Sequence, residues 1–349
     1  MKKRNGTIEL LKFIFAMLVM GVHTSFFTDI NIAQSGQLGV DFFFMVSGYF
    51  AAKSINNESK ENSEYNTLSF CKKRILGFYP YYLTSVLFDI VLLSTINWVD
   101  IFTIPRMIRR NIFEIIPLQV FGFRSEYASG VQWYVGTMFI LVPVVYLLYK
   151  KYRKIFSLII SPIVAFFLFG ITIYFADGLR NPGYMIGGLL FLGLLRGFAN
   201  ISLGTFIFDI SAHLKKKSEL FNITKLKKII VYFTELTLLI GTTGYCIVHK
   251  STQNDCMCVI LIAFLLIMIF TFNDGLTIFD NSFVYSLGKI SSVVFMIHIA
   301  VGKAIAHYLV GIDTRIIIIL YYIISIILAY FLQKIVSKIM NLSVIRRLI

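Results

Sequence analysis

The feature that most limits how this chain can fold is its repeated use of long apolar runs. Each is roughly 17 to 25 residues, the length at which a helix crosses the hydrocarbon core of a bilayer. They lie near residues 8–27, 36–54, 75–96, 131–149, 155–175, 184–207, 229–248, 257–272, 283–309 and 315–333. The pattern predicts an all-α integral membrane protein, a bundle of about ten transmembrane helices. Residues 1–349 are expected to form a single transmembrane domain with no attached soluble domain. The runs at 184–207 and 283–309 are long enough to tilt or break. Composition agrees: 57% of residues are hydrophobic and 15% charged, against about a quarter charged in soluble domains.

A formal charge of +15 raises nucleic acid as a partner, but the basic residues fall in short clusters between the apolar runs. Nucleic acid is therefore not expected, and the positive-inside rule accounts for the clusters. With both termini cytoplasmic, the inner segments collect Lys2, Lys3 and Arg4, then Lys72, Lys73 and Arg74, Lys150, Lys151, Arg153 and Lys154, Lys215 to Lys217, and Arg346 and Arg347. The outer segments hold only Arg106, Arg109, Arg110, Arg124, Arg180, Lys250 and Arg315. A multi-pass protein of the cell membrane, in contact with its lipids, is the result. Met1 to Arg4 before an apolar run looks like a signal peptide, but without a small-residue cleavage site it reads as an uncleaved first helix. Cys71, Cys246, Cys256 and Cys258 read as apolar filler, and no metal site is expected because Cys256 and Cys258 lack a second ligand pair.

Ionisable groups inside such spans mark candidate functional sites, because hydrocarbon penalises them. Lys12 and His23 are eleven residues apart, close to three helical turns, so they share a face and stand about 16 Å apart along the axis. That span is close to the reach of a pantetheine arm. The pair can hold a phosphate-bearing donor at the inner end and do proton chemistry at the outer one. Equally, Lys12 can snorkel to headgroups while His23 bonds a neighbouring helix. Asp41, one turn into the second span, is expected at the depth of His23, where a carboxylate would orient the imidazole as a general base. The alternative is an Asp that caps its own helix. Ser47 and Gly48 suit close helix packing.

These residues resemble a known family. Lys12 through His23 is similar to the first-helix pattern of the membrane-bound acyltransferase-3 family, a basic residue, ten residues and a His. Gly39-Val40-Asp41-Phe42-Phe43-Phe44-Met45-Val46-Ser47-Gly48 looks like its second-helix signature. The resemblance continues through Arg74 to Pro80, Trp133-Tyr134, Leu287 to Ser291 and Phe295 to His298, over nearly the whole chain. It implies transfer of an acyl group from cytoplasmic acyl-CoA, a donor substrate and not a permanently bound cofactor, to a hydroxyl of a glycan or lipid-linked acceptor, with His23 catalytic. The sequence departs from the family pattern at Gly77, where a second arginine is usual, and at Ser292, where a tyrosine is.

Other intramembrane groups extend the expected site. Lys12, Lys73, Arg74 and Lys289 are expected to neutralise coenzyme A phosphates, although Lys73 and Lys289 read equally as headgroup anchors. Ser47, Trp133, Tyr134, Arg196 and His298 are expected to line the site. A lone His in mid-span, such as His298, more commonly bonds another helix. Arg196 in the middle of the sixth span calls for a bound anion or a buried acid, and Glu235 is one partner the sequence offers. Outside, the 101–123 segment reads as an interfacial helix or as a lid. A competing function is a transporter or exporter of a glycan or lipid-linked sugar, against which stands the lack of paired repeats. A sensing domain without turnover is a third.

Overall fold

A computed structural model of the chain describes residues 5–61, 67–96, 104–123, 130–220, 225–272 and 279–341. Lys2, Lys3, Arg4, Arg124, Arg346 and Arg347 lie outside the described residues. The protein is an all-α integral membrane protein. Its long helices are α1 (Gly6–His23), α2 (Gly39–Glu61), α3 (Thr67–Ile96), α6 (Trp133–Ile155), α7 (Ser161–Ala176), α8 (Leu192–Leu220), α9 (Lys225–Val248), α10 (Asp255–Phe272), α11 (Ser282–Tyr308) and α12 (Thr314–Met340). Each overlaps one of the predicted runs. By length and apolarity alone, eight stretches among the described residues suffice to cross a membrane. One is the 44-residue stretch Trp133–Ala176, which holds both α6 and α7. It is broken at Arg153 (φ 38°, ψ −116°) and by a π-helical turn, Phe156–Ile160.

Two parallel helix pairs build the core. In the first, α1 and α11 begin together. The Gly6 amide donates to Asp280 Oδ1 (2.8 Å), and a Cβ on Gly6 would stand 2.1 Å from the Phe279 carbonyl oxygen. Asn5 and Asn281 cap the two helices, each accepting the amide three residues on, which satisfies backbone donors left open at a helix start. Farther along, a Cβ on Gly288 would meet Glu9 Oε2 at 2.0 Å, so only glycine lets α11 pass the Glu9 side chain.

In the second pair, α2 and α8 touch backbone to backbone. A Cβ on Gly48 would lie 1.9 Å from the Ile201 oxygen, and one on Gly204 would lie 2.2 Å from the Met45 oxygen. Small residues let membrane helices approach this closely and gain dispersion contacts that lipid does not outcompete.

Two sequence expectations change. The 184–207 run is not one helix. Residues Met185–Ile186 (β1) and Leu190–Phe191 (β2) form an antiparallel hairpin, and α8 starts at Leu192. The cause is Gly187-Gly188, with φ of 58° and 72°, left-handed positions in the three-residue turn 187–189 that closes the hairpin and that side chains resist. Arg196 therefore lies about one turn inside the start of α8 and not in mid-span. The 101–123 segment is, among its described residues, two short α-helices, α4 (Ile104–Arg110) and α5 (Ile112–Ile115), broken at the buried Asn111, followed by a 3-10 turn, Gln119–Phe121. It docks on α3: the Tyr79 hydroxyl donates to the Ile115 oxygen (3.0 Å) and the Tyr82 hydroxyl to the Glu114 oxygen. Those carbonyls end a helical turn and have no partner within it.

Candidate functional site

Because α1 and α11 begin together and run parallel, they stay in contact toward their far ends as well. His23 is seventeen residues past Gly6, and His298 is eighteen past Asp280. Their rings come together, His23 Nδ1 lying 2.9 Å from His298 Nε2. The other His298 nitrogen, Nδ1, lies 2.7 Å from the Phe295 carbonyl oxygen. A carbonyl only accepts, so His298 Nδ1 carries hydrogen, and in the neutral ring its Nε2 is left as an acceptor. His23 must then donate from Nδ1, which leaves its Nε2 lone pair free. His298 is fully buried, whereas His23 is half-buried beside Phe26, whose ring centroid is 4.9 Å away.

The expected His23–Asp41 contact is not formed. The Asp41 carboxylate is held by Arg196 in a two-pronged pair, Nε to Oδ1 at 2.9 Å and Nη2 to Oδ2 at 2.6 Å. The Asn200 amide adds a third bond to Oδ1 (2.6 Å), and Arg196 also donates to the Gln37 oxygen (2.8 Å). Both charged side chains are at most 1% exposed. The reason is helix direction: α2 and α8 run parallel, so Asp41 and Arg196, each near the start of its helix, are brought level seven and eight residues before the Gly48–Gly204 contact. Arg196 thus finds its acid in Asp41, and Glu235 is not the partner. Asp41 serves as a brace between helices.

A cavity of about 640 Å³ lies between α1, α2, α3, α6 and α11, on the side where α1 and α11 begin. It takes one stripe from α11, Gly288, Ser291, Ser292, Phe295 and Met296, and another from α2, including Phe43, Ser47, Phe50 and Ser54. Residues three and four apart share a helix face, and small ones on that face leave the room. Lys12, Lys73 and Arg74 line the cavity, as do Ser47 and Tyr134. Lys12 Nζ is paired with Glu9 Oε1 at 3.0 Å. Aromatic rings of Phe70, Phe78 and Phe139 form much of the remaining wall.

Other expected residues sit elsewhere. Lys289 is exposed and is not among the cavity residues. Trp133 packs on Phe44 and Phe191, with centroids at 5.9 and 6.0 Å, and is likewise outside the lining. Arg196 is spent on Asp41. Ser47 donates to Met138 Sδ (3.3 Å). Sequence reading missed Glu9, although an acid three residues before Lys12 on one helix was a visible pairing signal. It also did not name Phe43 and Phe295 as wall residues, although both lie in the stretches 39–48 and 295–298 that carry the family resemblance.

The sequence profile of the acyltransferase-3 family, described as an acyltransferase domain, matches residues 5–334. This chain belongs to the acyltransferase-3 family. No curated protein and no solved structure matches it. As an acyltransferase-3 protein it is a membrane-embedded acyltransferase, and the match takes in both histidines, the cavity and the Asp41–Arg196 brace.

Proposed function

We propose that the protein carries an acyl group from cytoplasmic acyl-CoA to a hydroxyl of an extracytoplasmic or lipid-linked glycan, as a ten-span protein of the cell membrane with both termini cytoplasmic. The observation that carries this reading is one continuous arrangement along α1 and α11. Lys12 lines a cavity at the inner end, and the cavity ends at Phe295 and Met296, three and two residues before His298. Lys12, Lys73 and Arg74 suit the phosphates of coenzyme A, because charge-assisted bonds to phosphate are short and strong. The apolar wall suits the pantetheine arm and the acyl group.

In the reaction, His23 Nε2 takes the proton of the acceptor hydroxyl. The oxygen forms an ester bond to the acyl carbon as the thioester carbon–sulfur bond breaks, and the thiolate leaves to be protonated as free coenzyme A. His298 Nε2 accepts from His23 Nδ1–H, so it fixes the tautomer and shares the positive charge that His23 acquires. This is the part first assigned to Asp41, played by a neutral acceptor instead of a carboxylate.

The test uses purified protein in detergent with acetyl-CoA, and mass spectrometry of envelope glycans from cells with and without the protein. A general base contributes about 10²- to 10⁴-fold. His23→Ala should therefore lose at least about a hundredfold in transfer while Tm is retained. His298→Ala should lose less, because the base itself remains. Wild-type transfer by folded His23→Ala would overturn the assignment.

A further inference from the structure

Neither histidine lines the cavity, and aromatic rings stand where the cavity lining meets the histidine pair. Phe43 from α2, Tyr134 from α6 and Phe295 from α11 meet at its outer end. Their ring centroids are 6.1 Å apart for Phe43–Tyr134, 6.1 Å for Phe43–Phe295 and 5.2 Å for Tyr134–Phe295. Those separations are ring-to-ring contact. On its other side, the Phe295 ring lies 6.0 Å from the His298 ring. Phe295 is thus the residue that touches both the cavity and the histidine pair.

We propose that Phe43, Tyr134 and Phe295 are an acyl-size filter, through which only a short acyl group reaches His23. The inference rests on the acyl-transfer reading above and deepens it by naming the donor class, thioesters of short carboxylic acids. The three rings come from three helices and touch one another, and Phe295 carries that contact on to His298. A two-carbon group passes through the small displacement of one ring. A chain of eight carbons has to hold all three apart in a close-packed region, where extra volume is resisted. A sealed ring contact also suits a protein with a donor cavity on one face and an acceptor on the other, since an open bore would leak. Phe295 contributes the ring through its side chain, while the bond that orients His298 uses its backbone oxygen. Truncating the ring therefore leaves that hydrogen bond available.

The experiment measures thiol release from acetyl-, butyryl- and octanoyl-CoA by the purified full-length protein, with water as acceptor, and compares kcat/KM across donors. Wild type is expected to favour acetyl over octanoyl by about tenfold or more, the scale at which apolar pockets discriminate chain length. Phe295→Ala is expected to raise the octanoyl-to-acetyl ratio by about tenfold. Phe295→Leu and Phe43→Leu should shift the same ratio in the same direction by less, and they carry the test if Phe295→Ala does not fold. Thiol release with an unchanged ratio in all folded variants overturns the filter and leaves the acyl-transfer reading standing. Equal use of acetyl and octanoyl by wild type also overturns it. No thiol release from any donor by folded wild type overturns the filter and the acyl-CoA reading together.

Discussion

At the scale of single residues, two pairings decide what this protein can do chemically. Asp41 and Arg196 are fully buried charges, and they neutralise each other through two parallel hydrogen bonds with Asn200 and the Gln37 carbonyl filling further positions. Removing one member leaves a buried charge, which costs about 3 to 5 kcal/mol. Asp41→Asn should therefore lower Tm markedly. Combining it with Arg196→Met should recover a large part of the loss, since apolar replacements of buried pairs are often well tolerated. Thermal unfolding of the wild type and the two variants in detergent checks this, and a double variant no more stable than Asp41→Asn would refute the bracing role. His23 and His298 form the other pairing. The eleven-residue Lys12 to His23 spacing was readable without a structure, because it depends on helical geometry alone. The His23–Asp41 contact was inferred from similar depth, and depth says nothing about rotation around a helix axis. Asp41 turns toward α8, and α11 supplies the group that reaches His23.

At the scale of elements, the segment α4 and α5 shows how a polar backbone is held against α3. Its terminal carbonyls receive the Tyr79 and Tyr82 hydroxyls, and Glu114 is buried at 2% exposure. Burial pushes the Glu114 carboxyl up to about 7. The docked segment then binds that proton more tightly than the undocked one, so docking is strongest at acid pH and weakens as pH rises through about 7. Hydrogen exchange over residues 104–123 should be faster at pH 8 than at pH 6, beyond the intrinsic pH effect. Glu114→Gln should remove the excess, and an excess that persists in that variant would exclude Glu114 as its source. The hairpin before α8 teaches a related lesson. An apolar run looked like a span, but Gly187-Gly188 carried a turn signal that hydropathy does not weigh.

At the scale of the whole molecule, the two parallel pairs, α1 with α11 and α2 with α8, set a direction. Basic cavity residues lie toward the start of α1, and the histidine pair lies toward its end. Acyl-CoA should thus be consumed in sealed inside-out vesicles and not when added outside right-side-out ones. Lys12→Ala should raise KM for acyl-CoA while leaving kcat nearly unchanged, the mark of binding lost equally from ground and transition states. Donor consumption from either face, or a fall in kcat at constant KM, would contradict this arrangement.

What the sequence determined by itself was local and periodic. Apolar run lengths set the membrane-embedded helices, helical spacing set the shared face of Lys12 and His23, and the run of motifs indicated the acyltransferase-3 family. What tertiary structure alone decided was partnership: Asp41 with Arg196, His23 with His298, Phe43 with Tyr134 and Phe295. Each joins residues from different helices, and their meeting depends on helix direction, level and rotation. Those are fixed by glycine contacts such as Gly6–Phe279 and Gly48–Gly204, where close backbone approach depends on which helix lies opposite, a fact no spacing along one chain contains.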